Sequence, residues 1–284
     1  MNQLAKDLAK NLAKDLGLHR GLSMERIGAM VLRYWYLLLS SWPRFLELLY
    51  WPALQIITWG FLQLYIMQNA GYFARAGGTL IGAVILWDIL VRGQLGFSIS
   101  FLEEMWARNL GNLMMSPLKP IEFLLALMTM SLIRLAIGVV PMTLLALVLF
   151  HFNFYSLGLP LIAFFCNLIF MSWSVGIFVS GLVLRNGLGA ESLVWTLMFV
   201  VMPLACVYYP VTVLPVWLQH VAWTLPPTYV FEGMRALLIE QTFRIDLMLD
   251  ALCINVALLI ASFWAFLVLL RSAKKHGSLL SAGE

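Results

Sequence analysis

The chain has 284 residues, of which 62% are hydrophobic and only 11% are charged. Soluble domains carry about 25% charged residues, so this composition excludes a soluble globular protein and indicates an all-α integral membrane protein. The net charge of +4 is a signal of membrane topology, and we expect no nucleic-acid partner.

The first 20 residues contain the repeat LAKD-LAKN-LAKD-LG, which spaces leucines four residues apart. On an α-helix this spacing gives a slowly drifting apolar stripe, here flanked by Lys and Asp. We therefore expect residues 1–20 to be an amphipathic extension, which lies on the membrane or on a partner, or else is a solvated and partly frayed helix. The segment lacks the continuous apolar core and the cleavage site of a secretory signal, so we expect no N-terminal processing.

Residues 24–47 mix aromatic residues with Arg26, Arg33 and Arg44 before a break at Pro43. This pattern is typical of a helix that lies in the membrane interface and leads into the first span.

Six apolar segments follow, each near the length of about 20 residues that a helix needs to cross a bilayer. They are residues 45–68, 78–101, 121–150, 158–184, 191–209 and 248–270. Six spans place both termini on one side of the membrane. Most Lys and Arg residues fall on that side, and only Arg75, Arg235 and Arg244 fall on the other. The positive-inside rule then predicts that both termini are cytosolic.

Three charged residues lie within the predicted spans. Asp88 and Arg92 are four residues apart on the second span, and we expect them to pair with each other because a lone charge in the bilayer is costly. Arg134 in the third span has no obvious local partner, so we expect it to snorkel or to meet Glu47 or Asp88. These charges form either a neutralised structural network or part of a polar translocation path.

Residues 101–120, FLEEMWARNLGNLMMSPLKP, connect the second and third spans. Read as one helix, the segment places four apolar side chains on one face: Leu102, Trp106, Leu110 and Leu113. Its polar side chains project from the other faces: Glu103, Glu104, Arg108 and Asn112.

This amphipathic pattern predicts a helix at the cytosolic surface, with a Glu104–Arg108 pair four residues apart. Glu103 and Glu104 diverge by about 100° on such a helix, which argues against a catalytic carboxylate pair. The segment is therefore a docking surface for a cytosolic protein or simply a solvated charged face.

The longest non-cytosolic segment, residues 209–246, joins the fifth and sixth spans and is too apolar to be a free loop. Its prolines divide it into two short helices, one containing Val216 to Trp223 and the other Tyr229 to Ile239. Because such helices satisfy their own backbone, we expect both to dip back into the outer face of the membrane.

Enzymatic signatures are missing from the sequence. Cys166, Cys206 and Cys253 lie in apolar runs, which is typical of core residues. The four histidines are scattered, and the sequence contains neither a metalloprotease nor a serine-hydrolase motif. The sequence contains no Gly-Lys dipeptide, so it has no P-loop with which to hydrolyse ATP. We expect no catalytic residues, no metal and no cofactor on this chain.

Between about residues 25 and 271, the chain resembles the permease subunits of type-2 ATP-binding-cassette (ABC) transporters of bacterial exporter type. The resemblance is carried by the six-span layout, by FLEEMWARNLGNLMMSPLKPIEF after the second span, and by PVTVLPVWLQHVAWTLPPTYVFEGMRALL after the fifth. The sequence NLGNL departs from the Gly-Thr-Leu-Glu usual in the family, so details of the ATPase contact transfer less directly.

The resemblance implies that residues 21–284 form a permease domain and that 101–120 includes a coupling helix seated on a separate ATPase. The implied ATPase-coupling residues are Glu103, Glu104, Trp106, Arg108, Leu110, Ser116 and Pro117. The implied outer-gate residues are Pro215, Trp217, Pro226, Tyr229, Glu232 and Arg235. The resemblance also implies that two ATPase copies, which bind ATP and Mg, pair with two permease copies, most simply a permease homodimer. The complex would lie among the lipids of the bacterial cytoplasmic (inner) membrane.

The transported molecule is then expected to be amphipathic, such as a lipid, a drug or a (lipo)polysaccharide. A rival interpretation from the residues alone is an ATP-independent secondary transporter or channel that uses Asp88, Arg92 and Arg134 as an ion relay. The sequence shows no inverted repeat with broken helices of the kind such transporters have.

Overall fold

The computed structural model describes residues 21–69 and 79–276, so the predicted extension at residues 1–20 lies outside the described residues. The described residues form α-helices and connecting turns. The helices are α1 (Met24–Leu39), α2 (Trp42–Asn69), α3 (Thr79–Trp106), α4 (Leu110–Met115), α5 (Pro120–Phe150), α6 (Leu159–Asn186), α7 (Leu193–Leu204), α8 (Val216–Ala222), α9 (Pro226–Arg235) and α10 (Ile245–His276).

Five of these helices, α2, α3, α5, α6 and α10, are long and apolar enough to cross a membrane. They correspond to the predicted spans 1 to 4 and 6, which confirms an all-α membrane fold. The predicted fifth span, 191–209, corresponds to α7, which is shorter than expected. Helix α7 has 12 residues and is about 18 Å long at 1.5 Å per residue, less than the thickness of about 30 Å of the hydrocarbon core.

The ends of α7 explain its shortness. Gly187, with φ of 73°, ends α6 and is followed by a 3₁₀ turn at Leu188–Ala190. Pro203 lies in the last turn of α7, and Cys206 turns the chain in the left-handed conformation, with φ of 53°.

Helix α3 is the central element of the bundle. In its most apolar window 78% of residues are buried, against 17% for α2 and 28% for α10. It packs between α5 and α6, and two glycines allow the close approach: a Cβ on Gly93 would lie 2.8 Å from Ser172 Oγ, and one on Gly96 would lie 3.1 Å from Ser131 Cα. Small residues at helix seams have this role in membrane bundles.

Helix α1 is the interfacial helix that the sequence predicts before the first span. It begins after Ser23, whose hydroxyl accepts a hydrogen bond from the Arg26 amide. Its buried residues, Ile27, Met30, Tyr34 and Leu38, recur every three to four positions on one face, and that face packs against α5.

Helices α2, α3, α5 and α6 alternate in direction, and α10 runs parallel to α6, because its Asn255 bonds to Asn167 while its Phe266 lies against Gly181. Helices α1, α4 and the C-terminal end of α10 therefore lie at one end of the bundle, which we call the α1 end. Helices α8 and α9 lie at the opposite end, which we call the far end.

Candidate functional site

The segment predicted as one amphipathic helix, 101–120, is two helices with a sharp turn between them. Helix α3 ends at Trp106, and Arg108 adopts the left-handed conformation with φ of 51°. The Asn109 amide donates to the Glu104 carbonyl and the Arg108 amide to the Met105 carbonyl, which is the hydrogen-bond pattern of a Schellman motif. The prediction of a single helix is therefore wrong, because this motif ends α3 before α4 begins at Leu110.

The turn changes which of the predicted coupling residues reach the surface. Glu103, Glu104 and Leu110 are buried, so the expectation that the two carboxylates project from the surface is wrong, and Glu104 does not pair with Arg108. Another group of residues is exposed, and we call it the exposed strip: Trp106, Arg108, Met115, Ser116 and Pro117.

Glu103 lies at the junction of three helices. Both of its carboxylate oxygens accept hydrogen bonds from the Arg134 guanidinium of α5 at 3.0 Å, and Arg44 of α2 approaches to 3.4 Å. Arg134 therefore pairs with neither Glu47 nor Asp88, the partners suggested by the sequence. It meets Glu103 because α3 and α5 pack side by side near the α1 end.

Glu104 fastens α1 to α3. Its Oε2 accepts hydrogen bonds from Arg33 at 3.1 Å and from the Asn109 amide side chain at 2.8 Å. Tyr34, on the buried face of α1, lies next to this carboxylate. Burial and, to a lesser degree, the Glu104 charge raise the pKa of the Tyr34 phenol, so the hydroxyl stays protonated in this apolar setting.

Glu122, in the first turn of α5, fastens the start of α1 in the same way. Arg26 donates two hydrogen bonds to its carboxylate, at 2.8 and 2.6 Å, in the bidentate geometry that favours arginine. The backbone amides of Ser23 and Lys119 also donate to it, each at 3.0 Å. Glu122 was not predicted from the sequence, although an acidic residue just after Pro120 is a typical helix-start signal.

Together these residues form what we call the arginine–glutamate cluster. Its members are Arg26, Arg33, Arg44, Arg134, Glu103, Glu104 and Glu122. The cluster joins α1, α2, α3 and α5 directly behind the exposed strip.

Trp106 connects the exposed strip to a second segment of the chain. Its indole Nε1 donates a hydrogen bond of 3.0 Å to Glu191 in the turn between α6 and α7. Arg185 and Ser192 in the same region are exposed. The surface of the α1 end is therefore built from two segments, the one between α3 and α5 and the turn between α6 and α7. The second segment was not predicted from the sequence because its turn carries no motif.

Asp88 and Arg92 form the buried pair predicted from their spacing, with Arg92 Nε donating to the Asp88 carboxylate. Gly138 of α5 makes room for the guanidinium, since a Cβ there would lie 3.0 Å from Arg92 Cδ. Arg134 bonds to Glu103 instead, so the three intramembrane charges belong to two separate pairs in the part of the chain that the structure describes.

At the far end, the predicted pair of short helices is present as α8 and α9. The Thr228 hydroxyl donates to the Ala222 carbonyl at 2.7 Å, and the Tyr229 hydroxyl donates to the Trp223 carbonyl at 2.8 Å. These bonds hold the start of α9 against the end of α8, which confirms that this segment is an ordered structure.

The predicted outer-gate residues fall into an exposed group and an anchored group. Pro215 and Trp217 are exposed at the start of α8, and Pro226 is buried in the first turn of α9. Glu232 accepts hydrogen bonds from the Val211 amide at 2.7 Å and from Arg235 at 3.0 Å.

Comparison with known families gives one match: the model of the family described as ABC-2 type transporter aligns with residues 28–239. The matched range contains most of α1, the exposed strip, α8, α9 and every member of the arginine–glutamate cluster except Arg26. No curated protein matches the chain with significant sequence similarity.

Proposed function

Because the chain belongs to the ABC-2 type transporter family and is a transmembrane permease of that family, we propose that it is the membrane subunit of an exporter driven by a separate ATPase. In this proposal two ATPase copies bind ATP and Mg, and two copies of the permease form a homodimer. The permease itself is a non-catalytic transport subunit. Its surroundings are the lipids of the bacterial cytoplasmic (inner) membrane.

The observation that carries the proposal is the exposed strip on a rigid base. Trp106 is 44% exposed and Met115 is 80% exposed, and Arg108 adds a positive charge beside them. Exposed aromatic, methionine and arginine side chains are the types enriched in protein interfaces. We assign the ATPase contact to this strip.

The arginine–glutamate cluster supports the strip mechanically. The cluster crosslinks α1, α2, α3 and α5 with charge-assisted hydrogen bonds, and Glu103, Glu104 and Glu122 are all buried. A push on Trp106 or Arg108 would therefore move these helices as one body. ATP binding that closes the two ATPase subunits would shift the permease between two states through this connection.

The orientation of the permease follows from the same residues. The α1 end carries Arg26, Arg33 and Arg44, and the positive-inside rule assigns such an end to the cytosol. We therefore propose that both termini are cytosolic and that α8 and α9 gate the outer end of the transport path.

We propose that the path lies at a seam between two copies that includes α2. Helix α2 is the least buried of the long helices, and its exposed side carries Thr58 among Tyr50, Phe61 and Tyr65. Threonine is one of the small residues that are enriched where membrane helices contact one another. A path with this lining suits an amphipathic substrate, such as a lipid, a drug or a (lipo)polysaccharide.

The rival function, an ion relay through Asp88, Arg92 and Arg134, is less well supported. A relay residue must exchange its proton or ion partner. Here Asp88 is bonded to Arg92, and Arg134 is bonded to Glu103.

The test is co-purification from native membranes in mild detergent. We expect a P-loop ATPase to accompany the wild-type chain in equal amount, and the double variant Trp106→Ala with Arg108→Glu to lose it while remaining folded. A matched control is Trp217→Ala with Arg244→Glu, which removes an exposed tryptophan and reverses an exposed arginine at the far end.

The control should retain the ATPase. Undiminished co-purification of the first variant would remove the exposed strip as the docking surface. A wild-type chain that purifies without any ATPase would overturn the proposed function and favour the ion-relay interpretation.

A further inference from the structure

The far end contains a cavity of about 1120 Å³ inside a single copy of the chain. It lies between the end of α2, the start of α3, the segment before α8, and the turn after α9. Pockets for drug-sized ligands usually measure about 300–1,000 Å³. The cavity is therefore large enough for such a ligand, and it is formed without a second copy.

One part of the cavity wall is apolar and aromatic. Ile66, Leu80 and Leu247 contribute aliphatic surface, and Trp223 contributes an indole. Tyr208 completes this wall, and its ring stacks on Trp59 with centroids 4.5 Å apart. This surface favours a ligand with an apolar body.

The turn after α9 gives the cavity an irregular wall. Residues Ala236–Glu240 form a π-helical turn that ends at Gln241 in the left-handed conformation, with φ of 56°. Ala236, Ile239 and Glu240 of this turn line the cavity. Single π-helical turns occur frequently at functional sites.

The charges around the cavity compensate one another. Glu232 pairs with Arg235 at 3.0 Å, and Arg235 also donates to the Cys206 carbonyl at 2.9 Å. Arg244 pairs with Asp246; that carboxylate and, more weakly, the charge of Glu240 raise the pKa of Arg244. No strong excess of either sign is therefore available to select an ionic ligand among the described lining residues.

The remaining polar groups of the wall are neutral. Gln63 is 9% exposed and its carbonyl oxygen accepts from the Ile81 amide, so its remaining hydrogen-bonding group is the side-chain NH₂. Gln219 donates to the Leu214 carbonyl and keeps its carbonyl oxygen as an acceptor. Thr212 adds an exposed hydroxyl, and together these groups match a ligand end that both donates and accepts hydrogen bonds.

We propose that this cavity is a binding site for an uncharged amphipathic molecule, with an apolar body and a hydroxyl- or amide-bearing end. The apolar body lies against Leu80, Leu247 and Trp223, and the polar end faces Gln63, Gln219 and Thr212. The idea that binding in this cavity is a step of export rests on the proposed function. The binding itself does not, because it requires no ATPase.

The test uses the full chain in lipid nanodiscs without ATPase and the probe octyl glucoside, kept below the concentration at which it forms micelles. Binding is followed by the change in intrinsic tryptophan fluorescence. The contribution of Trp223 to this change is the part that disappears in the variant Trp223→Phe. We expect a saturable fluorescence response in the wild type. In Ala236→Phe the added ring fills the cavity, so the apparent affinity for octyl glucoside should fall by about tenfold or more, which is about 1.4 kcal/mol or more.

Two variants separate filling of the cavity from general damage. Ala261→Phe makes the same substitution at an exposed position of α10 and should bind like the wild type. Thr212→Phe adds a ring at an exposed position of the cavity wall, where folding is least at risk, and should weaken binding even if Ala236→Phe fails to fold.

Charged probes of the same chain length test the ligand class. Octyltrimethylammonium and octyl sulfate should bind at least about tenfold more weakly than octyl glucoside. Equal binding of all three probes, or equal binding of octyl glucoside to wild type and Thr212→Phe, would overturn the proposal. The ATPase co-purification experiment is independent of either result.

Discussion

The two ends of the molecule use charge in different ways. At the α1 end, among the described residues, four ion pairs join residues far apart in sequence and one, Lys119–Glu122, is local; 96 positions separate Arg26 from Glu122, and 71 separate Arg33 from Glu104. At the far end the pairs are local, because Glu232 and Arg235 are three positions apart and Arg244 and Asp246 two.

This difference separates an end that is crosslinked between distant helices from one that is fastened locally. A long-range buried pair fixes the relative position of two helices, since moving them apart would leave a buried charge without its partner. The local pair Glu232–Arg235 bonds further to the Val211 amide and the Cys206 carbonyl, so it fastens α9 to the segment before α8. The α1 end is thus crosslinked across several helices, and the far end is fastened over shorter distances in sequence around its cavity.

The largest effect is expected from Glu103→Gln. This change leaves Arg134, which is 4% exposed, without a negative partner, and we expect it to lower the free energy of unfolding by about 4 kcal/mol. The measurement is a denaturant titration in detergent micelles. Adding Arg134→Met should recover much of the loss, because the double variant buries no unpaired charge.

The matched control is Asp246→Asn, which breaks an exposed local pair at the far end and should leave the unfolding curve unchanged within error. If both variants destabilise the protein equally, the contrast between the two ends fails.

A smaller effect is expected from Asp88→Asn, which tests a pair that is local yet buried. Arg92 loses its carboxylate partner, and because this breaks one ion pair within a single helix rather than a junction of three helices, we expect a loss of about 3 kcal/mol. Arg92→Gln in the same chain should partly restore stability. Additive effects of the two substitutions in a double-mutant cycle would show that the residues do not act as a pair.

The smallest effect is expected from Asn255→Leu, which tests how hydrogen bonds join α10 to α6. The Asn255 side-chain amide donates to the backbone and side-chain oxygens of Asn167, at 2.9 and 3.0 Å, and so links α10 to α6. Hydrogen bonds between membrane helices contribute about 1 kcal/mol, and we expect a loss of that size. The control Val256→Leu, on the exposed side of α10, should leave the free energy of unfolding unchanged. If Asn255→Leu destabilised the protein more than Glu103→Gln, the expected ranking would be reversed.

Much of this architecture is predictable from local pattern. Long apolar segments define the spans because a bilayer requires helices of about 20 residues, and the spacing of Asp88 and Arg92 predicts their pair. The prolines at 210, 215, 226 and 227 divide the far-end segment into α8 and α9. In each case the cause lies within a few residues of its effect.

The parts that escaped prediction depend on distant contacts. Arg134 pairs with Glu103 only because α3 and α5 lie side by side, and Arg26 reaches Glu122 only because α1 packs on α5. The end of α3 was missed for a local reason: its Schellman motif places Arg108, rather than the usual glycine, in the left-handed position. Periodicity alone therefore continued the helix too far.

The arginine–glutamate cluster also has a consequence for biosynthesis. Helix α1 leaves the ribosome early, but its partners Glu104 and Glu122 are made 71 and 96 residues after the arginines that bind them. Until then Arg26 and Arg33 must remain hydrated at the membrane surface. Docking of α1 therefore becomes possible only after α3 and the start of α5 have been synthesised, so a docked α1 marks a chain in which these helices have already come together.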